Sequence, residues 1–281
     1  MSFYPLTQED GEEQMIPKKI HYCWVGGNPL PESAKKCIRS WKKYCPDYEI
    51  IEWNESNYDF SAIPYMKEAY DAGKWGFVPD YARLDIIYRY GGIYLDTDVE
   101  IVRSFDGLIK NRGFAGFESD AFVALGLGFG AEAGNPMIKT LMDSYMGKHF
   151  IKPDGAPDLI SSPQLNTITL VEKYGLVPNG EFQEFNGFKI FPTEYFCPKS
   201  FVDGLIKKTE NTYSIHHYDA SWFSEDEKKE LHERWAYVEA VEARRIHREK
   251  KLKRRKIFGG FLRKIFGNER WEKIKKLFIR G

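Results

Sequence analysis

The chain has 281 residues, 42% of them apolar and 16% aromatic, which is enough to bury a sizeable core and excludes an intrinsically disordered chain. The formal net charge is zero, but sixteen Lys and Arg face three Glu between Arg244 and Gly281, about +13, which leaves the first 243 residues near −13. No apolar run approaches the roughly 20 residues that span a bilayer, and no CxxC pair or His/Cys cluster stands at zinc spacing.

The polar, acidic segment 1–15 has no apolar signal-peptide region and reads as a leader. Cys23, Cys37, Cys45 and Cys197 then read as reduced thiols of an intracellular protein. Residues 18–25, KKIHYCWV, predict a strand that ends at Gly26-Gly27. A helix follows through SAKKCIRSWKKY, with Ile38 and Trp41 at i, i+3, and then a second strand over YEIIEW, 48–53. This β-α-β opening points to a mostly parallel sheet.

Helical spacing continues around 64–74 and again from Pro79 to Tyr90, where Pro and Asp suit a first turn and Gly91-Gly92 a stop. IYLDTDVEIV, 93–102, gives two short β runs interrupted by Asp-Thr-Asp. The Gly-rich stretch 113–130 reads as strands and loops near a site. Helices are expected over 135–146 and within 161–174, and strands over 188–192 and 212–218. From about Ser224 the chain becomes helical and highly charged, with a capping signature at its start.

The sharpest local signal is Asp96-Thr97-Asp98 directly after an apolar, aromatic run. In an extended segment both carboxylates point to one face. Two anions held close favour a bound cation, and oxygen ligands favour Mg²⁺ or Mn²⁺. Such an ion can bridge a diphosphate and stabilise it as a leaving group. A solvated surface turn would have little use for the preceding Gly91-Gly92, which permits close backbone approach.

Three further constellations accompany it. Asp80 and Arg83 stand at i, i+3 on one helix. Together they can hold sugar hydroxyls, although the same spacing describes an ordinary intrahelical salt bridge. Trp24 lies at the carboxyl end of the first strand, where α/β sheets bind ligands and an indole can stack on a base. Ser214-Ile215-His216-His217 precedes Ala220-Ser221-Trp222. Adjacent histidines on a strand face opposite sides, so at most one points into a given site.

Four blocks in order, IPKKIHYCWVGG, CPDYEIIEWNES, FVPDYARLDIIYRYGGIYLDTDVE and NTYSIHHYDASW, resemble glycosyltransferase family 32. This group is related to the yeast α-1,6-mannosyltransferase and to bacterial capsule and exopolysaccharide enzymes. The resemblance covers residues 16–223 and implies an α/β, GT-A catalytic domain, Rossmann-like and bearing the DXD motif. The clostridial glucosylating toxins look like distant relatives. Carried over by motif, Trp24 would stack on the base, Asp80 and Arg83 would hold the donor sugar, and Tyr94 and Asp96 would contact ribose and sugar. Asp98 would ligate a Mn²⁺ or Mg²⁺ ion, with His217 as third ligand ahead of His216. Ser221 and Trp222 resemble the toxins' element over the diphosphate, but without an intervening residue.

The resemblance implies a retaining hexosyltransferase with a nucleotide-sugar donor, UDP-glucose or UDP-galactose ahead of GDP-mannose, and a polysaccharide or lipid-linked glycan acceptor. No carboxylate is marked as a covalent nucleophile; Glu118 and Asp120 are near enough in sequence to the site to be candidates. Residues 224–281 form the remaining segment. Within it RRIHREKKLKRRK, 244–256, is polybasic, and 257–279 places Ile257, Phe258, Phe261, Leu262, Ile265, Phe266, Trp271, Ile274 and Phe278 at helical spacing opposite Lys and Arg. This reads as a basic amphipathic extension on an anionic membrane surface, at the inner face of the cell membrane. No nucleic-acid-binding module is recognisable. The competing reading is a non-catalytic membrane- or polyanion-binding adaptor on a degenerate transferase scaffold.

Overall fold

The computed structural model describes residues 15–219 and 223–266, side chains excepted at 255 and 258–266. The chain divides into two compact units. The first runs to Phe201 and includes Ile206–Glu225; the second holds Val202–Leu205 and the chain from Asp226.

The first unit opens with β1 (Lys19–Cys23), α1 (Glu32–Tyr44) and β2 (Glu49–Trp53). The two strands pair in parallel from Lys19↔Glu49 to Cys23↔Trp53. The α1 helix buries Ala34, Cys37 and Trp41, one stripe at i, i+3 and i+7, with Glu32 in its first turn and Lys42 and Lys43 in its last, each on the favourable side of the helix dipole. Cys37, not Ile38, supplies the middle of that stripe.

After α2 (Pro64–Asp71) comes α3 (Pro79–Tyr90), buried along most of its length. Gly91, at φ 62°, ends it, and its N–H closes on the Ile87 carbonyl. Next is β3 (Gly92–Tyr94), parallel to β1 on the side away from β2. A Cβ on Gly92 would stand 2.8 Å from His21 Nε2 and 2.9 Å from the Lys19 carbonyl, so only glycine fits there. Sequence reading expected these glycines to permit close approach, and that is what they do.

Beyond β3 the sheet is mixed. β7 (Phe129–Ala131) runs antiparallel to both β3 and β5 (Gly113–Ser119). β9 (Phe188–Phe191) is parallel to β5, and β8 (Gln183–Phe185) is antiparallel to β9. The order is β2-β1-β3-β7-β5-β9-β8, with β6 (Phe122–Ala124) paired to β5. Parallel pairing expected from the β-α-β opening therefore holds across β2-β1-β3 and recurs at β5-β9. The Gly-rich stretch supplies the antiparallel turns between them. The α4 (Pro136–Asp143) and α5 (Ser162–Tyr174) helices join α3 over the core.

A second, two-stranded sheet pairs β4 (Val99–Ile101) with β10 (Ser214–His216). Trp41, fully buried, donates from Nε1 to the Val99 carbonyl at 2.7 Å, and the Ile101 N–H donates to Ser40 Oγ at 2.9 Å. The first helix thus clamps the backbone that leaves Asp98. Periodicity gave no sign of β8 or of α6 (Thr193–Phe196), each four residues or fewer.

In the second unit α7 (Glu225–Phe266) is one helix of 42 residues. Its exposed apolar side chains, Tyr237, Val241 and Leu252 on one side and Ile246 and Ile257 on the other, form no single stripe. The described part of α7 is charged around its circumference. Beyond Ile257, the apolar stripe expected over 257–279 lies outside the described side chains, as do Ser221 and Trp222 and nearly all of the leader. No helix among the described residues is long and apolar enough to cross a membrane.

Candidate donor and metal site

The site forms at the carboxyl ends of β1 and β3. The Leu95 N–H continues the ladder to the His21 carbonyl at 3.0 Å, and the Asp96 N–H turns to the Gly126 carbonyl at 3.0 Å. The Val99 N–H then closes on the Asp96 carbonyl at 3.1 Å. Asp96–Val99 is therefore a tight turn, not the extended segment expected, yet the turn still brings both carboxylates together. Ligand atoms of Asp96, Asp98 and His216 lie within 4.8 Å of one another.

Asp98 is 9% exposed. Its Oδ2 accepts from the Asp219 N–H at 2.9 Å and faces His216 Nε2 at 3.2 Å. Burial alone would raise its pKa, but the His216 charge and these hydrogen bonds outweigh it and hold Asp98 down to about 2. Burial likewise pushes His216 down, and Asp98 overrides it, leaving His216 well above its ordinary value. His216 and Asp98 thus lie together as a buried pair of opposite charge tendency. Tyr218 packs against His216 at 4.2 Å between ring centres and takes φ 59°, a strained conformation for an aromatic residue.

His217 is placed elsewhere. Its Nε2 lies 2.8 Å from Glu100 Oε2, on the opposite side of β10, while its backbone N–H bonds the Asp98 carbonyl. Strand alternation allowed only one histidine into the site, and the register His216↔Val99 turns His216, not the expected His217, toward Asp98.

On the other flank, Asp80 and Arg83 are each 5% exposed. Arg83 donates to Asp80 Oδ1 at 3.1 Å, to the Pro79 carbonyl at 3.0 Å, and lies 3.5 Å from Asp96 Oδ2. The i, i+3 pair is a salt bridge after all, but a buried one that reaches across to the Asp-x-Asp turn. Burial raises Asp80 to about 6; Arg83 opposes this and Asp96 adds to it. The Arg83 guanidinium also lies over the Tyr94 ring, 5.2 Å from its centre. Tyr94 is 1% exposed and packs on Phe129. Its ring lies against Arg83 and is almost wholly buried, where the resemblance implied contact with ribose.

Two supporting features went unread in the sequence. A Cβ on Gly126 would stand 2.0 Å from Asp96 Oδ2 and 3.0 Å from Arg83 Nη1, so the bare backbone there makes room for the Asp96–Arg83 pair. Behind the turn, His21 is fully buried; Trp53 Nε1 donates to its Nδ1 at 3.0 Å, so its Nε2–H donates to the Gly91 carbonyl at 3.0 Å. The glycine-rich run 113–130 was the only signal for the first, and nothing in the pattern of β1 marked the second. Trp24 stands one residue past β1, half-buried, its Nε1 bonded to the Asn28 carbonyl at 2.5 Å.

Residues 31–115 match the family model described as "Glycosyltransferase sugar-binding region containing DXD motif". That span holds Asp80, Arg83, Asp96 and Asp98 in the arrangement just described. Over those residues the chain is similar to the sugar-binding region of DXD glycosyltransferases. It is 39% identical over 98 residues to inositol phosphoceramide mannosyltransferase 3 of Schizosaccharomyces pombe, which covers 34% of this chain and 27% of that protein. Inositol phosphoceramide mannosyltransferase 1 of the same yeast is 28% identical over 141 residues, 42% of this chain and 41% of the relative. The chain thus spans about two fifths or less of the length of these curated relatives. Among solved structures, PaToxG Glycosyltransferase superposes with a TM-score of 0.42 at 21% identity, over 57% of this chain and 70% of that one. The matched region here sits on an α/β sheet, with the Asp-x-Asp motif following the strand beside β1 and the helix α7 later in the chain. Trp24, His216 and Glu118 fall outside the matched span.

Proposed function

We propose that this chain is a glycosyltransferase that moves a hexosyl group from a nucleotide-sugar donor to a glycan or lipid-linked acceptor, with a divalent cation in the site. The observation that carries the reading is the position of Asp96, shared between the buried Arg83–Asp80 pair and the Asp98–His216 cluster. Two carboxylates and one imidazole fit Mn²⁺ or Mg²⁺, so Asp96, Asp98 and His216 would hold the ion. Bound there, the cation supplies charge neutralisation of the departing nucleoside diphosphate. The chain's own residues do the rest. Arg83 and Asp80 hold sugar hydroxyls, Trp24 offers a stacking face for the base, and Tyr94 and Gly126 fix the Arg83–Asp96 pair.

Mannose is the donor sugar that the names of the matched yeast proteins favour, so GDP-mannose moves ahead of UDP-glucose and UDP-galactose. The same names support a phosphoinositol-lipid type of acceptor. The Lys and Arg of 244–256 on α7 support a peripheral position on an anionic membrane, at its cytoplasmic face. Transfer with retention, guided by the leaving diphosphate, fits the absence of an assigned nucleophile.

A panel of GDP- and UDP-sugars with Mn²⁺, read as release of nucleoside diphosphate by the chain alone, tests the reading. Turnover of one donor that Asp98→Asn abolishes, with the melting transition kept, supports it. Undiminished turnover in Asp98→Asn removes the site assignment, and no turnover of any donor removes the enzyme reading.

A further inference from the structure

Glu118 lies near the end of β5, where the pairing with β6 shifts register: Phe117 faces Val123 and Ser119 faces Phe122, so Glu118 is the extra, unpaired residue of a β-bulge. A bulge re-aims the side chain it carries, and bulges gather beside active sites. Phe117 is fully buried and Ser119 is exposed, while Glu118 between them is half-buried. Among the described residues its carboxylate makes no hydrogen bond and no ion pair, unlike Asp80, Asp98 and Glu100 nearby. A carboxylate held out of water normally finds a partner.

Gly92 of β3 and Gly113 of β5 both pair with Ala131 of the antiparallel β7 between them, so the two strands run parallel and Glu118, at the carboxyl end of β5, lies on the same sheet edge as the Asp-x-Asp turn after β3. Burial raises its pKa, the charge on His216 lowers it and that on Asp96 raises it again. It stands outside the trio whose ligand atoms converge within 4.8 Å. It is therefore placed beside the ion's ligands without being one of them.

We propose that Glu118 is a catalytic residue that contacts the transferred sugar and offsets the positive charge that develops at its anomeric carbon. This rests on the glycosyl-transfer reading above. In the step, the bond from the anomeric carbon to the diphosphate oxygen breaks with its electron pair going to the diphosphate. The acceptor oxygen forms the new bond to that carbon, and its proton passes to the departing diphosphate. When water is the acceptor the same balance gives free sugar. Glu118 makes and breaks no bond; its fixed negative charge acts on the transition state more than on the bound donor, which is the requirement for raising kcat.

The test is Glu118→Gln in the full chain, an isosteric change that removes the charge. On the donor found by the panel, kcat is expected to fall about 10²–10³-fold, the usual effect of removing one charge-stabilising group. KM for the donor, Mn²⁺ affinity by titration with nucleoside diphosphate present, and the melting temperature should stay near those of the unmodified chain. Wild-type kcat in E118Q overturns the inference, and so does a raised KM with kcat unchanged, because that marks uniform binding. A tenfold or greater loss of Mn²⁺ affinity also overturns it, since it would place Glu118 among the ligands. An unmodified chain that turns over no donor overturns the glycosyl-transfer reading and takes this inference with it, an outcome distinct from the other three.

Discussion

Asp96 keeps its carboxylate where Gly126 has no side chain: a Cβ at 126 would stand 2.0 Å from Asp96 Oδ2. The Gly126 carbonyl meanwhile accepts the Asp96 N–H at 3.0 Å, so one residue fixes the backbone of the Asp-x-Asp turn and clears the space above it. Gly126→Ala should push the Asp96 carboxylate off its Arg83 partner. We expect donor turnover to fall by at least two orders of magnitude, while overpacking costs about 1–3 kcal/mol of stability. Denaturant unfolding beside steady-state kinetics checks both, and full activity in a stable Gly126→Ala chain would refute the role.

Arg83 balances two acidic groups from within the core, at 3.1 Å from Asp80 and 3.5 Å from Asp96. Removing the guanidinium leaves Asp80 buried without its partner. Arg83→Met should therefore destabilise the fold by about 3–5 kcal/mol, the usual result of breaking one side of a buried pair. Adding Asp80→Asn to Arg83→Met should recover part of that loss, because the orphaned charge is gone. Urea unfolding of the two single variants and the double variant measures the coupling.

Burial holds His21 down to about 4, against the Gly91 carbonyl, whose hydrogen bond works the other way. The folded-state value lies below the unfolded one, so between pH 6.5 and 4 the unfolded chain takes up a proton that the folded chain refuses. Stability contributed by neutral His21 is present above pH 6.5 and is lost as pH falls, by about 3 kcal/mol at the acid end. Asp80 works in the opposite direction over part of this range, because its raised value favours the folded state on protonation. Comparing the pH profile of unfolding free energy with that of His21→Gln cancels the Asp80 contribution. The unmodified chain should lose stability more steeply from pH 6.5 to 4, and parallel profiles would contradict the neutral, doubly bonded ring.

His216 and His217 separate the sequence reading from the structure. Because His216 faces Asp98 and His217 faces Glu100, His216→Asn should weaken Mn²⁺ binding at least tenfold, and His217→Asn by no more than about twofold. Titration calorimetry with nucleoside diphosphate present distinguishes them, and the reverse order would restore His217.

What the sequence revealed of this site follows from where each signal resides. Asp80, Arg83, Asp96 and Asp98 lie within nineteen residues on one helix-strand-turn unit, so local spacing was enough to group them. Which histidine joins them depends on the register His216↔Val99, a pairing across more than a hundred residues that alternation narrows to one of two but does not select. Tyr94 appeared as a contact residue because motif position says nothing about burial, and its ring in fact lies under Arg83. Glu118 depends on a single-residue shift between β5 and β6, which leaves no compositional trace. The β-α-β opening was legible from its strand and helix periods, whereas antiparallel β7 and β5 were hidden in a run of glycines that carries neither period.

The basic half of the charge asymmetry makes the last prediction. Lys250, Lys251, Lys253 and Arg254 lie on α7 in its exposed, polybasic stretch, and each basic residue near an anionic surface contributes about 1 kcal/mol. Replacing all four with Gln in the full chain should lower partitioning onto vesicles containing phosphatidylserine by at least a hundredfold at moderate salt. Binding to zwitterionic vesicles should change little, and high salt should erase the difference because the attraction is screened beyond a Debye length. Donor hydrolysis in solution should be unaffected, since the residues of the proposed donor site all lie within the first unit. Equal vesicle binding by the two chains at low salt would exclude this stretch as the membrane contact, and a parallel loss of hydrolysis would show that α7 serves the catalytic unit instead.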